Sequence, residues 1–343
     1  MRALVLGGAG FIGLHLARRL VADGHQVTIV DDFSRGRHDP ELDALDVPVV
    51  HADLTDAAAY RGLPAGWDHV YMFAAVVGVR NVAEDPARVV RVNTLALMNL
   101  LAWLEPPARL FFASTSEVYA AGVGLGVVPV PTPETVPLAV GDVAAARSTY
   151  AISKLLGEAA VIHTARTTGV GFVIGRFHNV YGPRMGADHV IPELLLRAAG
   201  GEDPLTVYGT GQSRAFCYVD DAVDAVTRLM ACPAATGQVV NIGDDREEVL
   251  IGDLAELVTR VTGTGARIDP RPAPPGSVAR RCPDLTRLRA LTGYRPEVPL
   301  EEGVRRTFAW YRAHAAGGPA RQTSRRRTAP SGIPSHVGRF RVS

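Results

Sequence analysis

Tyr150 and Lys154 form the pair of side chains in this sequence that is best suited to acid–base chemistry on an alcohol. They stand four positions apart at the start of a helical pattern, so both side chains fall on one face of the helix. A nearby ammonium group stabilises a phenolate, which lets a tyrosine act as a general base near neutral pH. Because the spacing YxxxK is frequent by chance, this interpretation depends on a cofactor site elsewhere in the chain.

A glycine-rich turn near the start of the chain predicts such a site. Gly7, Gly10 and Gly13 follow an apolar run and open a helical pattern, where a Cβ would hold a dinucleotide pyrophosphate away from the helix N-terminus. Asp31 closes the next apolar run, 18 residues after Gly13, and can accept hydrogen bonds from both hydroxyls of the adenosine ribose. Its charge would repel a 2′-phosphate, so the pattern favours NAD over NADP. Two basic residues just downstream count against this preference: Arg35 and Arg37.

The elements that must position these residues alternate between short apolar runs and helical patterns. Uninterrupted apolar runs separated by helices indicate parallel strands with both faces of the sheet covered. The predicted strands are residues 3–6, 26–30, 47–50, 69–73, 110–113 and 171–175, and the main helices are 11–22, 86–104 and 149–167. The predicted fold class is therefore α/β, a Rossmann-type doubly wound parallel sheet.

The second half of the chain predicts a smaller lobe of mixed α/β structure. Helical patterns at 191–199, 221–230, 253–262 and 299–312 are separated by short strands and by frequent proline and glycine. We expect an NAD-binding domain at 1–175, to which 216–245 returns, and a substrate-binding lobe at 176–215 and 246–314. Residues 315–343 are predicted to be a basic, disordered tail, because Gly, Pro, Ser, Thr and Arg cannot bury a core.

Composition and charge exclude several other classes of protein. The net charge is +1, but six arginines lie in a C-terminal stretch without acids, so the rest of the chain carries −5. Such a body lacks the basic stripe of a nucleic-acid-binding surface. The three cysteines lack CxxC spacing and the ten histidines lack HExxH spacing, so neither a metal site nor a disulfide framework is predicted. The longest apolar runs are too short to span a membrane, and a cytoplasmic location is expected.

These motifs resemble the extended short-chain dehydrogenase/reductase family that modifies nucleoside-diphosphate sugars. The resemblance runs from residue 1 to about residue 313, through GGAGFIG, HADLTD, VNTLALMN, STSEVY, YAISK, RFHNVYGPR, VYGTGQSRAFCYVDD and RRCPDL. It implies that Thr115 and Tyr150 bind the 4-hydroxyl of a sugar while hydride leaves C4 for NAD. Besides the glycines and the acid, it implies a set of cofactor-binding residues: Phe11, Ile12, Asp53, Leu54, Ala74, Asn93, Ser114, Tyr150 and Lys154.

The residue three positions after Ser114 separates branches of this family. Epimerases usually carry no acid there, whereas hexose 4,6-dehydratases and UDP-glucuronate decarboxylases carry a glutamate, here Glu117. Oxidation at C4 makes C5 acidic, so chemistry at C5 then needs a proton donor or acceptor. Many glucose-type dehydratases have aspartate before this glutamate, where this chain has Ser116. Arg147, three residues before Tyr150, matches decarboxylases and some mannose-type dehydratases.

The second half of the chain is similar to UDP-glucuronate decarboxylases. By this resemblance Asn179 would hold the sugar or phosphate, and Arg214 would bind the diphosphate. Tyr208 would lie beside the base of the nucleotide. Arg281 would lie near the diphosphate or the substrate carboxylate, since a guanidinium can bind an oxyanion in a bidentate manner. A structural role for Arg184 stays open. The implied substrate-binding set is Ser116, Arg147, Asn179, Arg184, Tyr208, Arg214 and Arg281, and the catalytic set is Thr115, Glu117, Tyr150, Lys154 and Arg281.

Together these observations predict NAD-dependent decarboxylation of UDP-glucuronate through a C4 ketone, giving UDP-xylose, UDP-4-keto-pentose or both. Three alternatives stay open: an NDP-hexose 4,6-dehydratase, a UDP-glucuronate epimerase, and an NAD-binding regulator without activity. The presence of Tyr150, Lys154 and Glu117 argues against the regulator. The predicted partners are a nucleotide sugar and a second copy of the chain, with no nucleic acid and no membrane. Helices 86–104 and 149–167 would form the homodimer, although their apolar faces could equally belong to the core.

Overall fold

A parallel sheet of seven strands organises this computed structural model, which describes residues 1–274 and 276–315. The strands in chain order are β1 (Arg2–Leu6), β2 (Gln26–Asp31), β3 (Val49–His51), β4 (His69–Met72), β5 (Arg109–Thr115), β6 (Gly171–Phe177), β7 (Val180–Tyr181), β8 (Leu205–Tyr208), β9 (Ser213–Ala215), β10 (Cys217–Tyr218), β11 (Gln238–Ile242), β12 (Glu248–Leu250), β13 (Ile268–Arg271) and β14 (Arg280–Arg281). The large sheet has the order β11-β6-β5-β4-β1-β2-β3, and all of its neighbouring strands are parallel. The chain reverses direction across the sheet between β1 and β4, which is where open α/β sheets bind ligands.

Both faces of the sheet are buried, as uninterrupted apolar strands require. Ala3 and Val5 of β1 pack into one hydrophobic cluster, and Leu4 and Leu6 pack into a second cluster on the opposite face. This division follows from the alternation of side chains along a strand. The predicted fold class is confirmed.

Helices cover the two faces of the sheet and build the second half of the chain. They are α1 (Phe11–Ala22), α2 (Pro40–Asp43), α3 (Ala57–Arg61), α4 (Val79–Glu84), α5 (Pro86–Trp103), α6 (Ala120–Gly124), α7 (Ser148–Thr168), α8 (Val190–Ala199), α9 (Val219–Ala231), α10 (Ile251–Thr262), α11 (Thr286–Thr292) and α12 (Leu300–Ala315). α5 begins where its sequence predicts, because the Asp85 carboxylate accepts a hydrogen bond from the amide of Arg88 at 2.9 Å and Pro86 occupies the first turn.

The second half of the chain contributes one strand to the large sheet and several short strands outside it. β11 pairs with β6, with Val240 beside Gly175. The other strands form three small sheets, β10-β7, β12-β9-β14 and β13-β8. The pairing of β11 with β6 is of the kind expected if residues 216–245 return to the NAD-binding domain. The domain boundaries stay a prediction.

The ends of the elements differ from the sequence predictions by a few residues. β5 and β6 each extend two residues further, to Thr115 and Phe177, and the short helices α2, α3, α4, α6 and α11 were not predicted. The predicted disordered tail lies, except for Ala315, outside the described residues. Within the described part of the chain, we find no helix with the length and apolar composition of a membrane span.

Candidate active site

The carboxyl end of β5 supplies the first candidate catalytic residues. The strand ends at Thr115, and the chain then makes the 3-10 turn Ser116–Tyr119. Thr115 caps this turn, because its hydroxyl accepts a hydrogen bond from the amide of Glu117 at 3.2 Å. The turn places Thr115 and Glu117 next to each other at the edge of the sheet where ligands bind.

α7 brings the acid–base pair to the same place. It begins at Ser148, so Tyr150 and Lys154 occupy its first two turns. Lys154 Nζ donates to Ala113 O at 2.7 Å and lies 6.0 Å from the centre of the Tyr150 ring. The hydroxyl of Thr115 lies close enough to the phenol to lower its pKa. The structure therefore assembles the predicted trio of threonine, tyrosine and lysine.

Burial governs the protonation of both members of this pair. Burial lowers the pKa of Lys154 to about 8, and the negative charge of Glu158 partly opposes this effect. Burial and the charge of Glu117 raise the pKa of Tyr150, while the threonine hydroxyl and the charge of Arg35 act in the opposite direction. In the protein alone, the phenol is protonated at neutral pH.

Glu117 lies among three arginines. Arg281 Nη1 donates to Glu117 Oε1 at 2.7 Å, and the charges of Arg147 and Arg214 reach the same carboxylate. Burial by itself would raise the pKa of Glu117, but these three cations lower it below its ordinary value. Glu117 is therefore ionised at neutral pH, and the cluster carries a net positive charge.

Two of these arginines are neighbours in one small sheet. Arg214 on β9 and Arg281 on β14 are register partners in a parallel pair. Burial lowers the pKa of Arg214 to about 10, and the charge of Arg281 acts in the same direction while Glu117 opposes it. Arg214 donates to Ser213 O and Val278 O at 2.7 Å each and Arg281 donates to Glu117, so the protein holds both guanidinium groups, and their shared positive charge suits an anionic ligand.

The turn between β1 and α1 fits a pyrophosphate. Gly7 has φ +81°, and a Cβ at this position would come within 2.5 Å of Ala74 N. A Cβ on Gly13 would overlap Gly7 O. Gly10 caps α1 without a side-chain hydrogen bond, so the amides of the first turn are presented to a ligand.

Asp31 ends β2 beside this turn and is buried. Its Oδ2 accepts a hydrogen bond from Ala9 N at 3.0 Å, and its Oδ1 accepts one from Phe33 N at 2.9 Å. A carboxylate has about four lone-pair positions, so two of them remain for the hydroxyls of a ribose. The residues of the turn and the acid thus fit NAD.

The two arginines after β2 do not point at Asp31. The guanidinium of Arg37 lies over the ring of Trp310, with 5.9 Å between its central carbon and the ring centre. That of Arg35 donates to Val77 O. Neither arginine is therefore placed to neutralise the Asp31 carboxylate. The presence of Arg35 and Arg37 in the sequence thus no longer argues against NAD.

Other predicted cofactor residues lie along the same edge of the sheet. Phe11 and Ile12 form the first turn of α1, Ala74 follows β4, and Asp53 and Leu54 follow β3. Leu54 is buried, whereas Asp53 is exposed and accepts a hydrogen bond from the amide of Thr55 at 2.8 Å. Their contact with a dinucleotide stays a prediction.

Two further cofactor candidates direct their polar atoms into the protein. Asn93 Oδ1 accepts from Val76 N at 2.7 Å, and its Nδ2 donates to Val76 O and to Ser153 Oγ at 3.1 Å each. Ser114 Oγ donates to Glu158 Oε1 at 2.5 Å. Asn93 therefore joins the loop after β4 to α7, and Ser114 joins β5 to α7, while a direct contact of either residue with the cofactor stays a prediction.

The structure does not bring Arg184 to the arginine cluster. This residue has φ +70° and is 4% exposed. Its guanidinium donates to Ala9 O at 3.1 Å, to Arg37 O at 2.9 Å and to the carboxylate of Asp39. Since all of these acceptors belong to the protein, the contacts favour the structural role over substrate binding.

The remaining substrate candidates are spread over three elements. Ser116 is buried in the turn after β5. Asn179 has φ +40° and donates to Ala215 O at 3.1 Å, and Tyr208 ends β8 with 58% of its surface exposed. Their roles toward a substrate stay predictions.

A buried polar network beneath the catalytic pair was missed by the sequence analysis. Glu158 and Arg176 are both 4% exposed, and Arg176 donates to both carboxylate oxygens, at 2.9 and 2.6 Å. Arg176 also donates to the hydroxyl of Tyr119 at 2.7 Å. One signal could have found it, since Glu158 lies one helical turn after Lys154 on the same face of α7.

The glycine turn, the Asp31 carboxylate and the Tyr–Lys pair beside the end of β5 define an NAD-dependent enzyme of the short-chain dehydrogenase/reductase type. The model of the NAD dependent epimerase/dehydratase family matches residues 3–243. The chain belongs to this family, which confirms the predicted family and the predicted cofactor.

Relatives of known function match nearly the whole described chain. The UDP-N-acetyl-alpha-D-glucosaminuronate decarboxylase of Bacillus cytotoxicus is 35% identical, covering 91% of this chain and 98% of the relative. UDP-glucuronic acid decarboxylase 1 of Xenopus tropicalis is 32% identical, covering 91% of this chain and 72% of the relative. Among solved structures, the UDP-glucose 4-epimerase of Thermus thermophilus in complex with NAD is 29% identical with a TM-score of 0.75, covering 91% of this chain and 99% of that one.

Proposed function

We propose that this enzyme decarboxylates UDP-glucuronate through a C4 ketone and releases UDP-xylose, UDP-4-keto-pentose or both. The observation that carries the proposal is the ion pair between Glu117 and Arg281, with Arg147 and Arg214 nearby, beside the Tyr150 phenol. A net positive cluster suits a substrate that carries both a diphosphate and a carboxylate. The decarboxylase relatives support the same reaction.

Oxidation at C4 is the first step. Tyr150 takes the proton of the 4-hydroxyl, with the hydroxyl of Thr115 holding the oxygen and the charge of Lys154 stabilising the phenolate. When bound, NAD supplies the hydride acceptor at C4, the hydride donor that later restores the alcohol, and a positive charge beside the phenol. With C4 a ketone, the C6 carboxylate is β to a carbonyl.

Loss of CO2 then depends more on the orientation of the C5–C6 bond relative to the C4 carbonyl than on acid catalysis. The C5–C6 bond breaks, its electron pair enters the C4 carbonyl as an enolate, and a proton is added at C5. The lowered pKa of Glu117 keeps its side chain ionised, so this carboxylate has no proton to give. A water oriented by Glu117 is therefore a better proton donor to C5 than Glu117 itself. Arg281 holds Glu117 in place and is the cation available to a substrate oxyanion.

The test uses the purified protein with UDP-glucuronate and NAD. We expect release of CO2 and formation of a pentose nucleotide, both read by mass spectrometry. A 4-keto-6-deoxy product from a neutral hexose nucleotide, without CO2, would instead show a dehydratase. An epimerised hexuronate would show an epimerase. If all nucleotides stayed unchanged, an NAD-binding regulator without activity would be the remaining hypothesis.

A second candidate substrate is UDP-N-acetylglucosaminuronate. The relative that acts on it is 35% identical and is covered over 98% of its length, whereas the glucuronate relative is 32% identical and covered over 72%. The two substrates differ only at C2, so both present the same carboxylate and the same C4 alcohol. Equal concentrations of both in one reaction decide between them by the mass of the product.

We also propose that the enzyme is a cytoplasmic homodimer that pairs through α5 and α7. These helices pack against each other and leave large apolar side chains exposed, namely Leu95, Met98 and Leu156. The three cysteines Cys217, Cys232 and Cys282 are free thiols, which suits a reducing compartment.

A further inference from the structure

The side chain of Arg35 crosses the cofactor cleft. The loop after β2 carries it, and its guanidinium donates to Val77 O in the loop after β4. In the sheet, β1 lies between β2 and β4. A side chain that reaches from the end of β2 to the end of β4 therefore passes above the end of β1, where the glycine turn lies.

The guanidinium of Arg35 also meets the second half of the chain. A Cβ built on Gly78 would lie 3.4 Å from Arg35 Nη1, and one built on Gly186 would lie 3.5 Å from Arg35 Nη2. Gly186 belongs to the segment that leads into α8. Arg35 thus lies between the loops after β2 and β4 on one side and the entrance to α8 on the other.

The contacts of Arg35 leave most of its hydrogen-bonding capacity unused. Among the residues that the structure describes, its hydrogen-bond acceptor is one neutral carbonyl, that of Val77. Asp188 and the phenol of Tyr150 act on it through charge without a hydrogen bond, and Arg88 repels it. A guanidinium carries five N–H donors in a planar fork that matches phosphate oxygens. Its surroundings therefore favour an anion with several oxygens.

We propose that Arg35 binds the pyrophosphate of the dinucleotide and closes over it as a clasp. The guanidinium exchanges the carbonyl of Val77 for phosphate oxygens, while the amides of the glycine turn hold the same group from below. The diphosphate of the sugar nucleotide is the other source of such an anion, but the arginines predicted to bind it, Arg214 and Arg281, lie on β9 and β14.

The value of a clasp rests on the proposed function. Hydride taken from C4 is returned to the same sugar, so the reduced cofactor must stay bound between the two steps. An arginine that has to swing away before the dinucleotide leaves slows that departure. It would thereby favour the finished pentose over escape of its 4-keto form.

The experiment measures release of the dinucleotide from the full chain in the absence of any sugar nucleotide. The variant Arg35→Ala should raise the NADH dissociation rate about 10- to 100-fold, the range for a lost hydrogen bond to a charged group. The rate is followed by the loss of NADH fluorescence on dilution into excess NAD. Titration with UDP reports on the fold and should give a dissociation constant within about twofold of the parent.

Arg37→Ala is the matched control, since it removes the same charge from the same loop at a side chain that lies over Trp310. It should leave the dissociation rate unchanged, and Arg35→Lys should give an intermediate rate because it keeps the charge and loses the fork. An unchanged rate in Arg35→Ala would overturn the proposal, as would an equal rise in Arg37→Ala.

Weaker UDP binding with normal NADH release would assign Arg35 to the sugar nucleotide and overturn the proposal too. Failure to decarboxylate UDP-glucuronate would remove the proposed function and leave these binding results intact.

Discussion

Tyr150 is held in a state that requires help before it can act as a base. Burial and the charge of Glu117 favour the neutral phenol, whereas the hydroxyl of Thr115 and the charge of Arg35 favour the phenolate. Lys154 lies nearby, but its ammonium is directed to Ala113 O. In the proposed mechanism, the phenolate therefore forms in the site that holds both NAD and substrate.

Replacing Tyr150 by phenylalanine tests this assignment. Because the variant keeps the ring and loses the proton acceptor, we expect kcat to fall about 10²- to 10⁴-fold, the usual contribution of a general base. The dissociation constant of UDP should stay within about twofold, since the phenol makes no contact with the nucleotide in the proposed mechanism. Steady-state kinetics and calorimetric titration measure the two quantities. Retention of near-parental kcat would show that another group takes the proton.

Glu158→Gln should change the pH dependence of the reaction. The charge of Glu158 raises the pKa of Lys154 against the effect of burial, so its removal should lower that pKa below about 8. Activity that needs the ammonium is present below the pKa of Lys154 and is lost as the pH rises through it. The alkaline limb of the kcat profile should therefore move to lower pH.

The control for this variant is Glu158→Asp, which keeps the charge and should keep the position of the alkaline limb. Both changes disturb the buried pair with Arg176, so both should lower the free energy of unfolding, by up to about 3–5 kcal/mol where the arginine loses its partner. A stability loss without a moved limb in Glu158→Gln would mean that the residue has a purely structural role.

Local motifs account for part of the site, and contacts distant in sequence account for the rest. The glycine turn, Asp31 and the Tyr–Lys pair are each readable within a few residues. The partner of Glu117 is Arg281, 164 residues away, and no spacing rule links the two. Only the resemblance to a family suggested that both belong to one site. Arg184 shows the opposite case, because its motif suggested substrate binding or a structural role and its guanidinium donates to carbonyls of the protein.

At the scale of the elements, apolar periodicity predicted six of the seven strands of the large sheet, all but β11, and the long helices, because buried faces impose that pattern. It did not predict the last two residues of β5, Ser114 and Thr115, where polar side chains continue a buried strand. Nor did it predict the short strands β7, β9, β10 and β14, which are set by pairing with distant partners. Two of these strands, β9 and β14, carry Arg214 and Arg281, so two residues predicted to bind substrate lie in the part of the fold that is least readable from the sequence.

The packing of α7 against the sheet depends on Gly157. A Cβ at this position would lie 2.5 Å from Phe112 Cζ and 3.0 Å from Leu97 Cδ2. Helix propensity alone would favour Gly157→Ala by about 0.8–1 kcal/mol. We expect a net loss of about 1–3 kcal/mol instead, because the methyl group overpacks the contact between α7, α5 and β5. Chemical denaturation measures the free energy of unfolding.

Gly124→Ala is the matched control, since a Cβ at this helical position meets no atom within 4 Å. It should be neutral or slightly stabilising. If Gly157→Ala were equally harmless, α7 would have room to move, and the position of Lys154 would not depend on this contact. A lowered kcat in Gly157→Ala at temperatures where it is fully folded would show that the contact also sets the geometry of the pair.

At the scale of the whole molecule, two halves of the chain meet around the dinucleotide turn. Arg184, from the second half, donates to Ala9 O and Arg37 O in the first. Trp310 of α12 donates to Glu41 of α2 at 2.5 Å. These contacts join the second half of the chain to the glycine turn, to the loop after β2 and to α2.

The exposed apolar side chains of α5 and α7 give the last prediction. Leu95, Met98 and Leu156 are 42%, 46% and 48% exposed, on two helices that pack side by side. If a second copy covers this face, Leu156→Glu places a charge in the interface and should turn the dimer into a monomer at micromolar concentration. Light scattering coupled to size exclusion measures the mass. Leu125→Glu is the control, because Leu125 is 69% exposed and lies outside both helices, so it should stay dimeric. A parent protein with the mass of one chain, or a monomer produced equally by both variants, would remove α5 and α7 as the interface.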